Sequence, residues 1–218
     1  MPESRHHTQP AIHVNALVIE HDGARLFDDL TLHLGHHEKV TLSGPSGCGK
    51  STLLRCLLGF VLPAAGSIHI LGQELNCLSV WQLRRQIAYV PQEPMLGHGK
   101  VSQVLQRPFA FKTNRLFAEN LQHIPALMEQ LLLPRTLLSK KIDQLSGGEK
   151  QRITLLLALL LERKILLLDE ASSALDQEAK SAVIELLREQ GDLSILSVSH
   201  DQEWQGFSSR VITLQKRQ

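Results

Sequence analysis

Gly44-Pro45-Ser46-Gly47-Cys48-Gly49-Lys50-Ser51-Thr52 lies between the β-prone run Val40-Thr41-Leu42 and a helix-like stretch, Ser51 to Leu58, and this arrangement decides the fold. Gly44 to Ser51 fits the phosphate-binding pattern G-x-x-x-x-G-K-S/T, whose required context is a strand, a glycine-rich loop and a helix. Glycines let backbone N–H groups curl around phosphates, and the helix N-terminus adds a favourable dipole. Lys50 should reach the β- and γ-phosphates and the Ser51 hydroxyl should ligate Mg²⁺. Taken alone, the loop says only that the chain binds a nucleoside triphosphate.

Two downstream stretches narrow this. Ile165-Leu166-Leu167-Leu168 is a continuous apolar run, as expected for a parallel strand covered on both faces, and it ends in Asp169-Glu170. Asp169 suits Mg²⁺, through water or directly, and Glu170 is placed to polarise an attacking water. Two acids capping a turn would be the plainer reading in isolation; beside a phosphate loop the catalytic reading prevails. Ser146-Gly147-Gly148-Glu149 opens a helix expected to run to about Leu161. Ser followed three residues later by Glu is a capping box, with Leu145 as hydrophobic staple. The capping box leaves the two glycines unexplained, since they weaken a helix start unless something must approach the backbone. A ligand phosphate is such a thing, so both readings stand.

The rest of the chain alternates strands and helices, which implies an α/β sheet core. Strands are expected at Ile12 to Ile19 and Leu30 to Leu34 around a turn at His21-Asp22-Gly23, and at Ser67 to Leu71, Ile87 to Val90, Leu193 to Val198 and Arg210 to Leu214. Ala179 to Glu189 reads as helix. Val101 to Leu138 is helix-like, interrupted at Pro108, Pro125 and Pro134, with Leu121, Ile124, Leu127, Met128, Leu131 and Leu132 at helical spacing.

At 218 residues the chain suffices for one well-packed domain with a subdomain. A net charge of +1 gives no sign of nucleic-acid binding. Cys48, Cys56 and Cys77 form no C-x-x-C pair and suit a reducing cytosol. Met1 to Pro10 is polar and His-rich, unlike a signal peptide, and Leu155 to Leu161 falls far short of a membrane span. His6, His7, His13, His21, His33, His36 and His37 make seven of the 11 histidines. They are read as turn and surface residues, since His6-His7 and His36-His37 guarantee no ligand geometry.

Leu145 to Arg152 reads L-S-G-G-E-K-Q-R and is similar to the signature of the ATP-binding cassette (ABC) ATPases. Ser173-Ala174-Leu175-Asp176 matches that family's D-loop, His200 falls at its switch histidine, and Gln92, after Tyr89-Val90-Pro91, at its Q-loop glutamine. With the phosphate loop and Asp169-Glu170, these landmarks cover roughly residues 12 to 214 in family order. The resemblance implies a P-loop NTPase α/β core, an antiparallel β subdomain and a helical subdomain at approximately 93–160, all within one ATP-binding domain spanning 1–218. It implies ATP and Mg²⁺ as cofactors, with nucleotide contacts from Gly44 to Thr52 and from Ser146, Gly147, Gly148 and Asp176. The metal contacts it implies come from Ser51, Gln92 and Asp169, and the catalytic roles from Glu170, His200 and Gln92. Two cassettes pair head to tail around two ATPs, so the chain should act as a homodimer. It should sit peripherally on the cytoplasmic face of the membrane, bound to a transmembrane permease and not to nucleic acid.

The chain departs from the family pattern in three places. Ile19, Glu20 and His21 stand where an aromatic usually stacks on adenine, so an aliphatic face or His21 is expected to hold the base. Ala171 replaces the proline common after the catalytic glutamate, and Leu157-Ala158-Leu159 replaces Ala-Arg-Ala in the signature helix. The short chain, with E-K-Q-R-I after the signature glycines, looks most like the small metal-exporter (iron export) ATPases. The alternatives are an importer or lipid-release cassette, a soluble ABC ATPase of repair or translation, and a small-molecule P-loop kinase. The stretch 52–145 has no room for the coiled coil of the repair type, translation types carry two cassettes, and a kinase would not need Ser146 to Glu149.

Overall fold

The computed structural model describes residues 9–21 and 24–215, without the side chains of His21 and Ala24. Two sheets organise it. The first has four antiparallel strands in the order β2-β1-β4-β5, formed by β1 (Ile12–His21), β2 (Ala24–Leu34), β4 (Ala65–Ile70) and β5 (Gln73–Glu74). Its inner face carries Ile12, Val14, Leu17 and Ile19, all fully buried. The switch from even to odd positions follows a break in register between Val14 and Leu17, where Ala16 takes φ 47°. One inserted residue of this kind shifts the phase of a strand and keeps its apolar side chains on one face.

The second sheet is parallel, in the order β6-β7-β8-β3-β9. Its strands are β3 (Lys39–Ser43), β6 (Ile87–Val90), β7 (Ile165–Asp169), β8 (Ser194–Val198) and β9 (Arg210–Thr213). Every residue of β7 is buried. Ile165 and Leu167 join the core shared with the antiparallel sheet and α1 (Lys50–Leu57), whereas Leu166 and Leu168 join a core built with the helices. The continuous apolar run is thus explained by two covered faces.

The helices are α2 (Val80–Arg84), α3 (Val101–Gln106), α4 (Ile124–Gln130), α5 (Gly147–Leu160), α6 (Gln177–Glu189) and α7 (Gln202–Phe207). The middle of the chain departs from the expected helix. Between α3 and α5 only α4 is α-helical, and the backbone otherwise runs in 3₁₀ turns at Arg107–Ala110, Lys112–His123, Arg135–Ser139 and Ile142–Gln144. Pro108 and Pro125 stand in first turns, where a missing N–H does no harm, so they restart helices and do not sit within one. Strand β2 begins at Ala24, earlier than the expected Leu30, and β5, α2 and α7 were not anticipated; all three have six residues or fewer, too short for periodicity to reveal. Among the described residues no helix is long and apolar enough to cross a membrane.

Candidate nucleotide site

Four strands of the parallel sheet that are neighbours in space, β6, β7, β8 and β3, end on one edge. At or just beyond their C-terminal ends stand Gln92, Asp169-Glu170, His200 and the glycine loop. Residues far apart in sequence meet here because parallel strands all finish on the same side, where ligands of open α/β sheets bind.

The loop Gly44 to Gly49 delivers the chain from β3 into α1. Gly49 adopts φ 97°, and a Cβ there would lie 2.8 Å from the Phe27 ring, so only glycine fits. Helix α1 begins with no side-chain cap and no acid in its first turn. Its first N–H groups therefore remain available to an anion. Lys50 is buried, and its ammonium donates to the carbonyls of Gly44 (2.7 Å) and Pro45 (3.0 Å). Among the described residues it pairs with no carboxylate, and a buried cation held only by carbonyls suits a phosphate group.

The Ser51 hydroxyl donates to Asp169 Oδ1 at 2.9 Å, and the Tyr89 hydroxyl donates to Asp169 Oδ2 at 3.2 Å. Burial and the adjacent Asp169 carboxylate push the Tyr89 phenol up to about 12, which keeps it a donor at neutral pH. An acceptor-only carboxylate beside a serine hydroxyl is an oxygen set suited to Mg²⁺. Gln92 Nε2 donates to Glu170 Oε2 at 3.0 Å, and His200 Nε2 lies 3.9 Å from Glu170 Oε1. Glu170 holds φ 47°, and its N–H donates to the Val198 carbonyl of β8 at 3.0 Å. It lines two clefts: one with Leu26, Ser46, Gly47, Gly49, Lys50, Ser51, Thr52 and Gln92, the other with Ser173, Lys180 and His200 among its walls.

The signature lines neither cleft. Ser146 caps α5: its hydroxyl accepts from the Glu149 N–H (3.1 Å), and the Glu149 carboxylate accepts from the Ser146 N–H (2.7 Å). The expected capping box is present. Gly148 has a further reason to be glycine, because a Cβ would lie 2.7 Å from the Ala174 carbonyl oxygen. Asp176 caps α6 through the Ala179 N–H at 2.8 Å.

Of the residues at the expected base position, Ile19 cannot supply the aliphatic face. Ile19 is fully buried on the inner face of the antiparallel sheet, so it offers no platform to adenine. Leu26, on the neighbouring strand, reaches the phosphate cleft instead. The side chain of His21 lies outside the described residues, as do His6 and His7.

Three residues escaped the sequence reading. Tyr89 is the single tyrosine of the chain. Its strand pairs in register with β7, Tyr89 opposite Leu167, which lets the phenol reach Asp169 two residues on. Gln151, buried on α5, donates to the Pro91 carbonyl at 3.1 Å and so ties the signature helix to the segment bearing Gln92. Lys180 of α6 donates to Asp201 at 2.6 Å, joining the helix after Asp176 to the residue after His200. That hydrogen bond holds the Lys180 ammonium above its usual pKa and the Asp201 carboxyl below its own. A polar residue within an apolar stretch was the available signal for Tyr89; for Gln151, set between Lys150 and Arg152, and for Lys180 there was none.

A family model for ABC transporters matches residues 27–173. The chain belongs to the ABC transporter family. The cassette is 36% identical over 200 residues to the "Probable iron export ATP-binding protein FetA" of Escherichia coli (strain K12), covering 88% of this chain and 85% of that protein. A solved ATP binding subunit of an ABC transporter superposes with a TM-score of 0.84 at 26% identity, covering 95% of this chain and 88% of that one. The dimeric cassette MJ0796, in a post-hydrolysis state bound to ADP and Pi, shares the fold with a TM-score of 0.78 at 23% identity, covering 95% and 97% of the two chains. The cassette is therefore the ATP-hydrolysing, nucleotide-binding subunit of an ABC transporter.

Proposed function

We propose that this cassette works as a homodimer on the cytoplasmic face of a membrane, where it powers a permease that exports a metal ion, iron by analogy with its relative. The similarity to FetA along most of both chains carries the choice of cargo. The nucleotide is ATP, with its phosphates in the Gly44 to Thr52 cradle and Lys50 against the β- and γ-groups. Mg²⁺, held by Ser51, Asp169 and Gln92, would offset charge on the phosphate oxygens. Glu170 accepts the proton of the attacking water at a carboxylate oxygen, Gln92 and His200 orient that carboxylate, and His200 also faces the γ-phosphate. Ser146, Gly147, Gly148 and Asp176 serve the nucleotide of the partner cassette, because in their own chain they stand outside the cleft.

An exposed aromatic pair supports a docking partner. Phe60 and Trp81 are 65% and 69% exposed, and the Arg84 guanidinium lies 4.3 and 5.1 Å from their ring centroids. Arg84 is itself anchored to the carbonyls of Leu58 and Gly59. Large exposed aromatics held this firmly mark an interaction site, and a permease segment is the occupant we assign.

The test is the metal content of cells lacking the cassette, measured by elemental mass spectrometry during iron loading, with recovery of Phe60→Ser protein alongside its permease. Iron retention in the null cells and loss of co-purification in the variant are expected. Lower iron in the null cells would reverse the direction, and unchanged iron would overturn the cargo. Intact co-purification of Phe60→Ser would move the dock elsewhere.

A further inference from the structure

Three histidines that no nucleotide role absorbs, His13, His33 and His69, are gathered on the outer face of the antiparallel sheet. His33 of β2 lies directly across from His13 of β1, and His13 directly across from His69 of β4. The flanking residues Ile12, Val14, Leu32, Leu34, Ile68 and Ile70 are buried, so period-two alternation turns all three imidazoles to the opposite face. Glu74 of β5, in register with His69, places a carboxylate at the end of the same row. His13 and His33 also line an open cleft with His36.

From this row we propose a binding site for a borderline divalent cation of the nickel, copper or zinc class. Its ligands are the imidazoles of His33, His13 and His69, with His13 the shared central one. Directly opposed side chains on antiparallel strands start about 4.5–5.5 Å apart at Cβ. Two imidazoles on one tetrahedral ion need their nitrogens about 3.4 Å apart, given metal–nitrogen distances near 2.1 Å. The rings of His13 and His69 stand 6.2 Å apart between centroids, tilted by 35°, which leaves them a small side-chain rotation from that spacing. Among the described residues no three donors already converge on one point, so the ion draws the rings together on binding. The Nδ1 atom of His69 is buried and has no hydrogen-bond partner among the described residues. An unpartnered nitrogen on the ring next to the His13 imidazole is an arrangement that a metal resolves and that packing alone leaves unsatisfied. Imidazole suits nickel, copper and zinc, whereas the hard Mg²⁺ of the nucleotide prefers oxygen.

The test is calorimetric titration of tag-free protein with Ni²⁺ in excess Mg²⁺, on a background carrying His6→Ala, His7→Ala and His37→Ala to break up the other paired imidazoles. His13→Gln should lower Ni²⁺ affinity at least tenfold and His33→Gln by several-fold, with ATP hydrolysis unchanged in both. Affinity unchanged in His13→Gln, or no Ni²⁺ binding by the background protein, would overturn the site. Should His13→Gln fail to fold, the exposed His33→Gln decides alone, and unchanged affinity there overturns it equally.

Discussion

Around Lys50, side chains from several strand ends already hold one another: Ser51 and Tyr89 on the two oxygens of Asp169, and Gln92 on Glu170. Around Ser146 the helix start holds only itself, through the reciprocal bonds of Ser146 and Glu149 and the close approach of Gly148 to Ala174. The phosphate-loop region is preorganised by bonds between residues distant in sequence. The signature region is a satisfied helix terminus, and under the function proposed above its chemistry serves a partner cassette. On that proposal, one cassette folds fully as a single chain and carries half of each site it serves.

The comparison breaks most visibly at Glu170. Glu170→Gln should lower turnover by roughly a hundredfold or more, the scale of general base catalysis, while ATP still binds and an ATP-bound dimer accumulates in size-exclusion chromatography. Hydrolysis near the wild-type rate would show that another group activates the water. Next in size is Ser146→Arg, which should suppress hydrolysis and ATP-driven dimerisation. The nucleotide-free monomer should still fold, losing about 0.5–2 kcal/mol of capping. Full activity in strictly monomeric protein would remove the outward-facing role of the signature.

Two smaller effects sharpen the contrast. Gly148→Ala should destabilise the nucleotide-free monomer by about 1–3 kcal/mol, the usual range for overpacking, because its methyl group meets the Ala174 carbonyl oxygen; a thermal melt without ATP reads this directly. An unchanged melting temperature would leave only a nucleotide role for that glycine. Tyr89→Phe should raise the Mg²⁺ concentration for half-maximal hydrolysis about three- to tenfold, as expected from losing one hydrogen bond worth roughly 0.5–1.5 kcal/mol. ATP binding measured without Mg²⁺ should not move; if it weakened equally, Tyr89 would be supporting the fold and not positioning Asp169.

Much of the fold was legible because its strongest signals are local. The apolar run of β7, the capping box of α5 and the strand–loop–helix around Lys50 each declare themselves within about ten residues. Failures came where geometry is set by distant partners. Ile19 shares the odd parity of the outward-facing His13, and only the irregularity near Ala16, which shifts the phase of β1, turns it inward. The 101–138 region has helical spacing of leucines, yet its prolines divide it into short turns that only packing against α5 and the sheet holds in place. The candidate site was legible as a set of motifs but not as a network, since the bonds of Tyr89, Gln151 and Lys180 depend on strand register and helix docking.

The left-handed backbone at Glu170 has an evolutionary consequence. A side chain other than glycine or asparagine is held there against its preference by roughly 1 kcal/mol. Selection for stability alone would therefore drift this position toward glycine or asparagine, and Glu170→Gly should melt higher than wild type while hydrolysing no ATP. A thermostability screen that ignored transport would discard the working enzyme at this one residue.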